Sequence, residues 1–359
     1  MTVSNEFWQQ IRQYAQQTLQ LTDIAATNTD LTPYLPYFND WIEKGYHADL
    51  TYMTKHGDLR WRPDKLVPGT QSVIVATLNY LPEQYSLKKI RQRLTTPSNY
   101  AAISYYAQGR DYHKVLRKKL EKLAQYITQQ TNADHTYRVF TDSAPVLEKP
   151  LAEKSGLGWI GKHGNLMNRN GSFFFIGVIF TSINFQNQRY APYHDHCGRC
   201  QACITQCPTG AIVANKVVDA NRCLSYLTIE NKGGIPLEFR RPLGNRIYGC
   251  DDCQLVCPFN QSSQTTSITD FLPRSSLTPK RLIELAQWDE PTFLQQTQGS
   301  AIRRIGHWAW IRNIVIALGN APFDQTIIHQ LKTMAQFYQH DPVVSEHINW
   351  ALNQHLNPV

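Results

Sequence analysis

All eight cysteines of this 359-residue chain lie between residues 197 and 257, and their spacing points to metal chemistry. Four of them form the run C-x₂-C-x₂-C-x₃-C, which Pro208 follows, and three more repeat its last part before Pro258. Bacterial ferredoxins hold two [4Fe–4S] clusters with such runs, and the fourth cysteine of each run ligates the other cluster. Eight thiolates satisfy two such clusters with none left over.

Because the fourth cysteine of each run ligates the other cluster, the thiolates divide into two sets of four. The second run has only three cysteines, and the isolated Cys223 would supply the missing ligand. One cluster is expected to use Cys197, Cys200, Cys203 and Cys257, and the other Cys207, Cys223, Cys250 and Cys253. A zinc site and disulfides are the alternatives. Zinc usually takes two C-x₂₋₄-C pairs, whereas a third cysteine two residues further on suits a cubane better. Disulfides need an oxidising compartment, which nothing in the sequence suggests.

The segment from Phe140 to Asn165 holds the other candidates for chemistry. Asp142 follows a short predicted strand and precedes Pro145, so its local sequence favours a helix cap. As a general acid it would need a pKa raised by apolar surroundings or by a neighbouring carboxylate. The glycines of Gly156-Leu157-Gly158 and Gly161-Lys162-His163-Gly164 are typical of tight turns, and no strand–turn–helix frame makes them a dinucleotide fingerprint.

The elements that must position these residues begin with an α/β region. Helical spacing after a Ser4 cap predicts a helix over residues 5–20, and residues 111–130 read as a basic helix. Runs of β-branched and aromatic residues predict strands over 72–80, 137–140 and 171–182. We therefore expect one α/β domain at residues 1–185.

The cysteine region is expected to fill residues 186–265 as a ferredoxin-like module, ending near a Ser/Thr-rich linker at 262–269. After the linker the pattern turns helical. Ala317-Leu318 and Ala351-Leu352 suggest a repeat of about 34 residues, in the range of helical-repeat units. We expect a small helical, HEAT-like repeat domain at residues 266–359, which makes the whole chain a multidomain α+β protein.

The charge balance is basic. The chain carries 36 Lys and Arg against 28 Asp and Glu, which gives a net charge of +8. Such an excess favours a polyanionic partner, because released counterions drive binding to phosphates. The basic residues fall into three groups: Arg117, Lys118, Lys119 and Lys122; Lys232, Arg240, Arg241 and Arg246; and Arg303, Arg304 and Arg312. The first group is most simply a solvated helix face, whereas the other two are candidates for one phosphate-binding surface.

Several segments together resemble the epoxyqueuosine reductase family, the cobalamin-dependent iron–sulfur enzymes of queuosine tRNA modification. They are RPDKLVPGTQSVIV, YYAQGRDYHKVLR, FTDSAPVLEKPLAEKSGLGWIGKHGNL, the first cysteine run, RCLSYLTIENKGGIP and GNRIYGCDDCQLVCPFN, spread over residues 60–260. The resemblance implies reduction of the epoxide of epoxyqueuosine to the alkene of queuosine at the wobble position of a tRNA anticodon. It also implies cobalamin between the N-terminal domain and the cluster module, resting as cob(II)alamin and active as cob(I)alamin.

The resemblance implies roles for single residues as well. Asp142, in the FTDSAP motif, would be the proton donor, which overturns the local preference for a cap. Further contacts to the corrinoid would come from Arg62, Tyr105, Lys162 and His163. Contacts to the tRNA would come from Lys232, Arg240 and Arg241 beside the active site and from Arg303, Arg304 and Arg312 along the anticodon stem-loop backbone.

Two rival functions stay open at this point. One is a corrinoid iron–sulfur reductase of a small molecule, similar to a reductive dehalogenase; those enzymes are typically exported, whereas this N-terminus lacks a signal-peptide profile. The other is a nucleic-acid-binding protein whose clusters are structural. We expect a cytoplasmic monomer with no membrane contact, supplied by an external electron donor that the sequence does not identify.

Overall fold

The N-terminal part is built around a four-stranded sheet. In this computed structural model, residues 3–83, 85, 87, 98–131, 135–186 and 188–356 are described. The strands are β1 (Asp23–Thr27), β2 (Ser72–Asn79), β4 (Tyr137–Phe140) and β7 (Phe174–Thr181); β3 (Ala102–Ile103) lies apart, and β5 (Trp159–Ile160) pairs with β6 (Leu166–Met167). Their order in the sheet is β1-β2-β7-β4, and every neighbouring pair is antiparallel. The predicted α/β domain is thus a mixed helix-and-sheet unit whose sheet is antiparallel.

Helices cover both faces of this sheet, which is why its central strands are almost wholly apolar. The helices of this part are α1 (Asn5–Gln13), α2 (Leu35–Glu43), α3 (Thr51–Thr54), α4 (Pro63–Leu66), α5 (Tyr112–Thr131) and α6 (Glu148–Lys154). One face packs against α1 and α5 through residues such as Ile11, Leu116 and Leu120. The other face packs against α6 through Leu151 and Ala152. The predicted strands at 72–80, 137–140 and 171–182 and the helix at 111–130 are confirmed to within three residues at each end.

The cysteine region consists of short elements joined by tight turns. They are α7 (Ala202–Thr205), β8 (Ile212–Ala214), β9 (Val217–Val218), α8 (Leu224–Ile229), α9 (Leu237–Leu243), β10 (Arg246–Tyr248) and α10 (Asp252–Leu255). Strand β10 pairs in parallel with β3 of the N-terminal part. This pairing ties the second group of cysteines to the segment that leads into α5.

The C-terminal part is helical, as predicted. It contains α11 (Leu282–Ala286), α12 (Glu290–Gln296), α13 (Gly306–Asn320), α14 (Gln325–Phe337) and α15 (Pro342–Leu356). The two Ala-Leu pairs lie on α13 and α15, which pack directly against each other; a Cβ at Gly319 would stand 2.9 Å from the Cα of Ala351. None of the helices in the described part of the chain is long and apolar enough to cross a membrane.

The cores do not follow the predicted boundary near residue 265. A single apolar cluster joins Leu224 and Tyr248 of the cysteine region to Trp310 and Ile348 of the C-terminal helices. The segment predicted to be a linker is also packed, since the Thr266 N–H donates to the Leu81 carbonyl at 2.9 Å. The cysteine region is therefore held between its neighbours on both sides.

Candidate active site and cluster module

A cavity of about 520 Å³ lies where the N-terminal sheet meets the cysteine region. Its wall includes Asp142 after β4, Phe175 on β7, His163 in the glycine-rich segment and Arg304 from the C-terminal part. Four cysteines complete it: Cys207, Cys223, Cys250 and Cys253. The candidate acid and one complete set of predicted cluster ligands therefore share one cavity.

The eight cysteines are free thiols, and several lie close enough to influence one another's pKa. Burial, helped by the nearby charges of Cys197 and Cys203, raises the pKa of Cys257 to about 11. Burial likewise raises the pKa of Cys253 well above its ordinary value, helped by Cys223 and Cys207. Thiolates placed this close repel one another, so a cationic iron–sulfur core would relieve the repulsion.

A single metal ion is a poorer match for these groups. Over the described residues, no three His, Cys, Asp or Glu side chains converge as the ligands of one ion would. A cubane spreads its four thiolates around a larger body, so the wider grouping suits it better than a tetrahedral zinc site does.

The loop that carries the first cysteines is anchored by Lys162. Its Nζ donates to the carbonyls of Gly198 and Cys200 at 2.8 and 2.9 Å. Lys162 is 8% exposed, so this ammonium group has left bulk water and depends on those two acceptors. The side chain faces the cysteine loop, which gives it a structural reason to be a lysine in addition to the predicted corrinoid contact.

Asp142 stands directly after β4 in a left-handed conformation, with φ of 51°. Helix α6 begins six residues later with Leu147 at its N-cap and no side-chain cap, so Asp142 caps no helix there. Its Oδ2 accepts a hydrogen bond from the Tyr112 hydroxyl at 2.5 Å, and its N–H donates to Glu148 Oε1 at 2.6 Å. The side chain is 60% exposed, and that exposed surface faces the cavity.

Two carboxyls at this loop have opposite protonation tendencies. The enclosing cavity wall would raise the pKa of Asp142 by desolvation, but the facing His113, whose Nε2 stands 3.6 Å away, and the hydrogen bond from Tyr112 outweigh it and lower that pKa. Burial raises the pKa of Glu148 to about 8, and the negative charge of Asp142 adds to the shift. At neutral pH the pair therefore holds one proton, which rests on Glu148.

His163 is a buried, neutral imidazole in the cavity wall. Burial lowers its pKa to about 4, helped by the charge of Lys149. Its Nδ1 accepts the N–H of Asn165 at 3.1 Å, so the proton sits on Nε2, which has no hydrogen-bond partner among the described residues. A buried donor without a partner lowers the stability of the folded protein, and an acceptor on a ligand in the cavity would satisfy it.

Comparison with known proteins supports a specific family. Residues 60–143 match the model described as epoxyqueuosine reductase QueG, DUF1730, and residues 196–260 match a 4Fe-4S double cluster binding domain. The epoxyqueuosine reductase of Francisella cf. novicida is 55% identical over 356 residues, which cover 99% of this chain and 98% of that protein. This chain belongs to the epoxyqueuosine reductase family. It is accordingly an enzyme, an oxidoreductase of tRNA modification, and it carries an iron–sulfur module.

Solved members of the epoxyqueuosine reductase family share the fold. A crystal structure of epoxyqueuosine reductase with a tRNA-Tyr epoxyqueuosine-modified tRNA stem loop has a TM-score of 0.86 at 25% identity and covers 98% of this chain and 91% of that one. A structure from Bacillus subtilis, described with the catalytic aspartate loop swung out of its active site, has a TM-score of 0.83 at 25% identity, with 97% and 90% covered.

Three residues that the family resemblance linked to cobalamin lie outside the described wall of the larger cavity: Lys162, which binds the cysteine loop, and Arg62 and Tyr105. Arg62 is exposed and pairs with Asp64, its Nη2 standing 2.6 Å from Oδ2. Tyr105 donates its N–H to Asp251 and lines a second cavity of about 410 Å³ on the other side of Cys250. Neither is part of the described wall of the larger cavity, so the structure does not bring them to Asp142.

The six basic residues predicted to contact tRNA divide by exposure. Lys232, Arg241 and Arg303 are exposed, and Arg304 lies in the cavity wall, where it pairs with Glu230. Arg312 is fully buried, so the prediction that it contacts tRNA is corrected: its guanidinium donates to the carbonyls of Leu227, Asn231 and Gly233.

Arg240 needs the same correction, because it is 5% exposed and bound on several sides. Its two terminal nitrogens donate to the Glu346 carboxylate at 2.8 and 2.7 Å, and its Nε donates to the Ile235 carbonyl. Both arginines therefore fasten the segment around Lys232 to the C-terminal helices instead of offering charge to a phosphate.

The glycine-rich segment is explained largely by backbone packing. A Cβ at Gly158 would collide with the carbonyl oxygen of Met167, which leaves no room for any side chain. Gly164 has φ of 75° and lines the cavity, so one of these turns also shapes the site.

Sequence reasoning missed the partners of Asp142. Tyr112, His113 and Glu148 all contact it or its backbone, and Arg304 shares the same cavity. The signal was the polar run Asp111-Tyr112-His113 at the start of the basic helix. Nothing in the local sequence, however, says that this helix begins beside the end of β4.

Proposed function

We propose that this protein reduces epoxyqueuosine in tRNA to queuosine, with Asp142 as the group that delivers protons to the epoxide oxygen. The observation that carries the proposal is the shared cavity: an acid with its own hydrogen-bond partners faces a complete four-cysteine group inside a chain of this family. Reduction of an epoxide to an alkene needs both electrons and protons at one place, and this cavity supplies ligands for each.

The iron–sulfur clusters would be held by the two cysteine groups. We assign Cys197, Cys200, Cys203 and Cys257 to one cluster and Cys207, Cys223, Cys250 and Cys253 to the other, because the mutual charge effects on their thiols follow this division. The second group lines the cavity, so the clusters would deliver electrons to that place.

The walls of the same cavity would suit cobalamin. The Nε2–H of the buried His163 is a hydrogen-bond donor without a partner among the described residues. Lys149 adds a cation and Phe175 an aromatic ring to the same wall. Amide and phosphate groups on the rim and tail of a corrinoid are acceptors of the kind that such donors bind. When bound there, the cofactor would supply the strongly reducing nucleophile that opens the epoxide.

The protein's own residues would control protons and water. Asp142 presents a carboxyl to the cavity, and Tyr112 fixes its orientation through the 2.5 Å hydrogen bond. Apolar rings from β7 cover one side of the cavity, which lowers the local polarity and strengthens charge interactions at the acid. A leaving oxygen that gains its protons here departs as water and not as hydroxide.

The tRNA would approach from the side of Lys232, Arg241, Arg303 and Arg304. The first three are exposed, and the fourth stands in the same cavity wall as Asp142. Basic side chains of this kind fix the position of a phosphate backbone without reading its sequence. A wobble nucleoside turned out of its stack could then enter the cavity.

An Asp142→Asn variant tests the proposal directly. Asparagine keeps the size of the side chain and tolerates the left-handed backbone, but it cannot donate a carboxyl proton. We expect turnover of epoxyqueuosine tRNA, measured by mass spectrometry of released nucleosides, to fall by about 10²- to 10⁴-fold.

The visible absorption of the clusters should stay unchanged in that variant, and Asp40→Asn, on the exposed face of α2, serves as the matched control. Full turnover by Asp142→Asn would remove this aspartate from the chemistry. Absence of product from the wild-type holoenzyme would remove the function itself.

A further inference from the structure

A second acid–base pair stands behind Asp142, at the start of α5. Asp111 Oδ1 accepts both the backbone N–H of His113 at 3.1 Å and its ring Nδ1–H at 2.8 Å. One carboxylate thus fixes the backbone and the imidazole of the same residue. This arrangement selects the ring orientation and leaves Nε2 pointing away from Asp111.

The free edge of that imidazole faces the candidate acid. His113 Nε2 lies 3.6 Å from Asp142 Oδ2. The imidazole stacks on the Tyr112 ring, with the ring centroids 4.0 Å apart. Tyr112 stacks in turn on the Phe175 ring, with a centroid distance of 4.1 Å and an angle of 2° between the ring planes. The histidine is therefore locked in place, and a small rotation of the Asp142 side chain brings the two atoms within hydrogen-bond distance.

The chemistry of the proposed function requires more protons than Asp142 holds. Converting an epoxide to an alkene breaks both carbon–oxygen bonds, forms the second carbon–carbon bond and releases the oxygen as water. This change takes up two electrons, which the reductase supplies, and two protons. One carboxyl carries at most one proton, so Asp142 must receive a proton twice within each turnover if it delivers both.

The resting charges place the spare proton on the histidine. Burial would lower the pKa of His113, but the hydrogen bond with Asp111 and the negative charges of Asp111 and the facing Asp142 raise it to about 9. The facing His113 and the hydrogen bond from Tyr112 lower the pKa of Asp142 against desolvation by the enclosing cavity wall. At neutral pH the imidazole is thus charged while its neighbour is an empty carboxylate. The His113 side chain is 23% exposed, so it can exchange protons with water.

We propose that His113, held by Asp111, passes its Nε2 proton to the Asp142 carboxylate and so loads that carboxyl for delivery to the substrate oxygen. His113 does not touch the substrate; it acts through Asp142 and regains its proton from solvent. The inference rests on the proposed function and adds to it the route by which protons reach the acid.

Other charged groups face this pair from neighbouring elements. They are Tyr112 on α5 itself, Glu148 and Lys149 on α6, and Arg304 from the C-terminal part. Glu148 also holds a proton at neutral pH, but its hydrogen bond with Asp142 is to the backbone N–H and not to the carboxyl. The histidine is the group whose proton-bearing atom faces the oxygen to be loaded.

Steady-state kinetics of the holoenzyme with epoxyqueuosine tRNA provide the first test. In His113→Gln, kcat should fall by about 10²-fold while KM for tRNA stays within about twofold, because an amide keeps the packing but donates no titrating proton. His329→Gln, on the exposed face of α14, is the matched control. Asp111→Asn should lower kcat by a smaller factor, because the asparagine Oδ1 can still accept the hydrogen bond from the His113 backbone N–H.

The pH profile separates a relay from a structural role. Wild-type kcat should persist up to about pH 9, where His113 loses its proton, and fall above it. In His113→Gln the fall of kcat above about pH 9 should disappear. Instead, kcat should rise as the pH falls toward the range where solvent protonates Asp142. Added imidazole should restore part of the rate. An unchanged profile, or a loss of rate with no response to pH or imidazole, would overturn the relay.

A measurement without turnover keeps the relay distinct from the proposed function. NMR of histidine-labelled protein should show one imidazole, absent from His113→Gln, that titrates well above the ordinary histidine range and returns toward it in Asp142→Asn. A His113 signal that titrates near 6.5 would reject the relay, even if the enzyme reduces its tRNA substrate. A high pKa in a protein that forms no queuosine would leave the proton pair intact and reject the function.

Discussion

At the scale of single residues, the site is defined by what each polar group is bonded to. Asp142 is a short side chain in a left-handed conformation, and its neighbours decide that it rests as a carboxylate beside a charged imidazole. Lys162 has the opposite task. Its ammonium group donates hydrogen bonds to two carbonyls of the cysteine loop and is shielded from solvent. The family resemblance predicts a role at the corrinoid for both residues, but only Asp142 lines the cavity.

A Lys162→Met variant tests the anchoring role. Methionine keeps the length and apolar stem but removes the two hydrogen bonds to the carbonyls of the exposed residues Gly198 and Cys200, at about 1 kcal/mol each. We expect the first cysteine loop to loosen and the iron content of anaerobically purified protein to fall from about eight atoms per chain toward about four. Lys122→Met, exposed on α5, is the control, and a full complement of iron in Lys162→Met would contradict the anchoring role.

At the scale of elements, helix α13 is held to the cysteine region by a charge inside the protein. Burial lowers the pKa of Arg312 to about 10, so it remains charged at neutral pH, and all of its nitrogens have acceptors. Its carbonyl partners belong to α8 and to the loop that follows it. A buried guanidinium of this kind fixes how two elements meet, because removing it leaves several acceptors unsatisfied at once.

An Arg312→Met variant should therefore act on stability. We expect the free energy of unfolding to drop by about 3–5 kcal/mol, read from denaturant midpoints of the anaerobic protein. The exposed Arg303→Met, a neighbour in sequence, should change it by less than about 0.5 kcal/mol. If Arg312→Met folds as stably as the wild type and only binds tRNA less tightly, the buried role is wrong.

At the scale of the whole molecule, the cysteine module packs between the N-terminal part and the C-terminal helices of the same chain. It shares an apolar core with the C-terminal helices, and β10 pairs with β3 of the N-terminal part. The cavity forms only where these parts meet, since its wall takes residues from all three. The net charge of +8 also belongs to this scale, because a polyanion responds to the summed field of the surface.

Binding of a tRNA anticodon stem-loop should consequently weaken steeply with salt. We expect the double variant Lys232→Ala/Arg303→Ala to bind less tightly and to flatten the slope of log affinity against log salt by about 0.7–0.9 for each phosphate that is no longer neutralised. The double variant Lys118→Ala/Arg117→Ala on the solvated face of α5 is the control. Equal slopes for both double variants would place the tRNA surface elsewhere.

The sequence alone determined the local patterns. Cysteine spacing divided the thiols into two groups, and apolar runs predicted strands β2, β4 and β7, because both signals lie within short stretches of chain. The local sequence around Asp142 favoured a helix cap, and only the family resemblance of its motif predicted an acid. The strand predictions depend only on neighbours along the chain.

The tertiary structure decided which residues meet. Asp142 and His113 lie on different elements, and only the packing of α5 against the sheet sets one imidazole beside one carboxylate. Burial likewise separated Arg312 and Arg240 from the exposed Lys232, although all are basic residues of the predicted surface. Charge is a property of a residue type, but exposure and pairing depend on the whole fold, so composition predicts a basic protein and cannot say which arginine reaches the solvent.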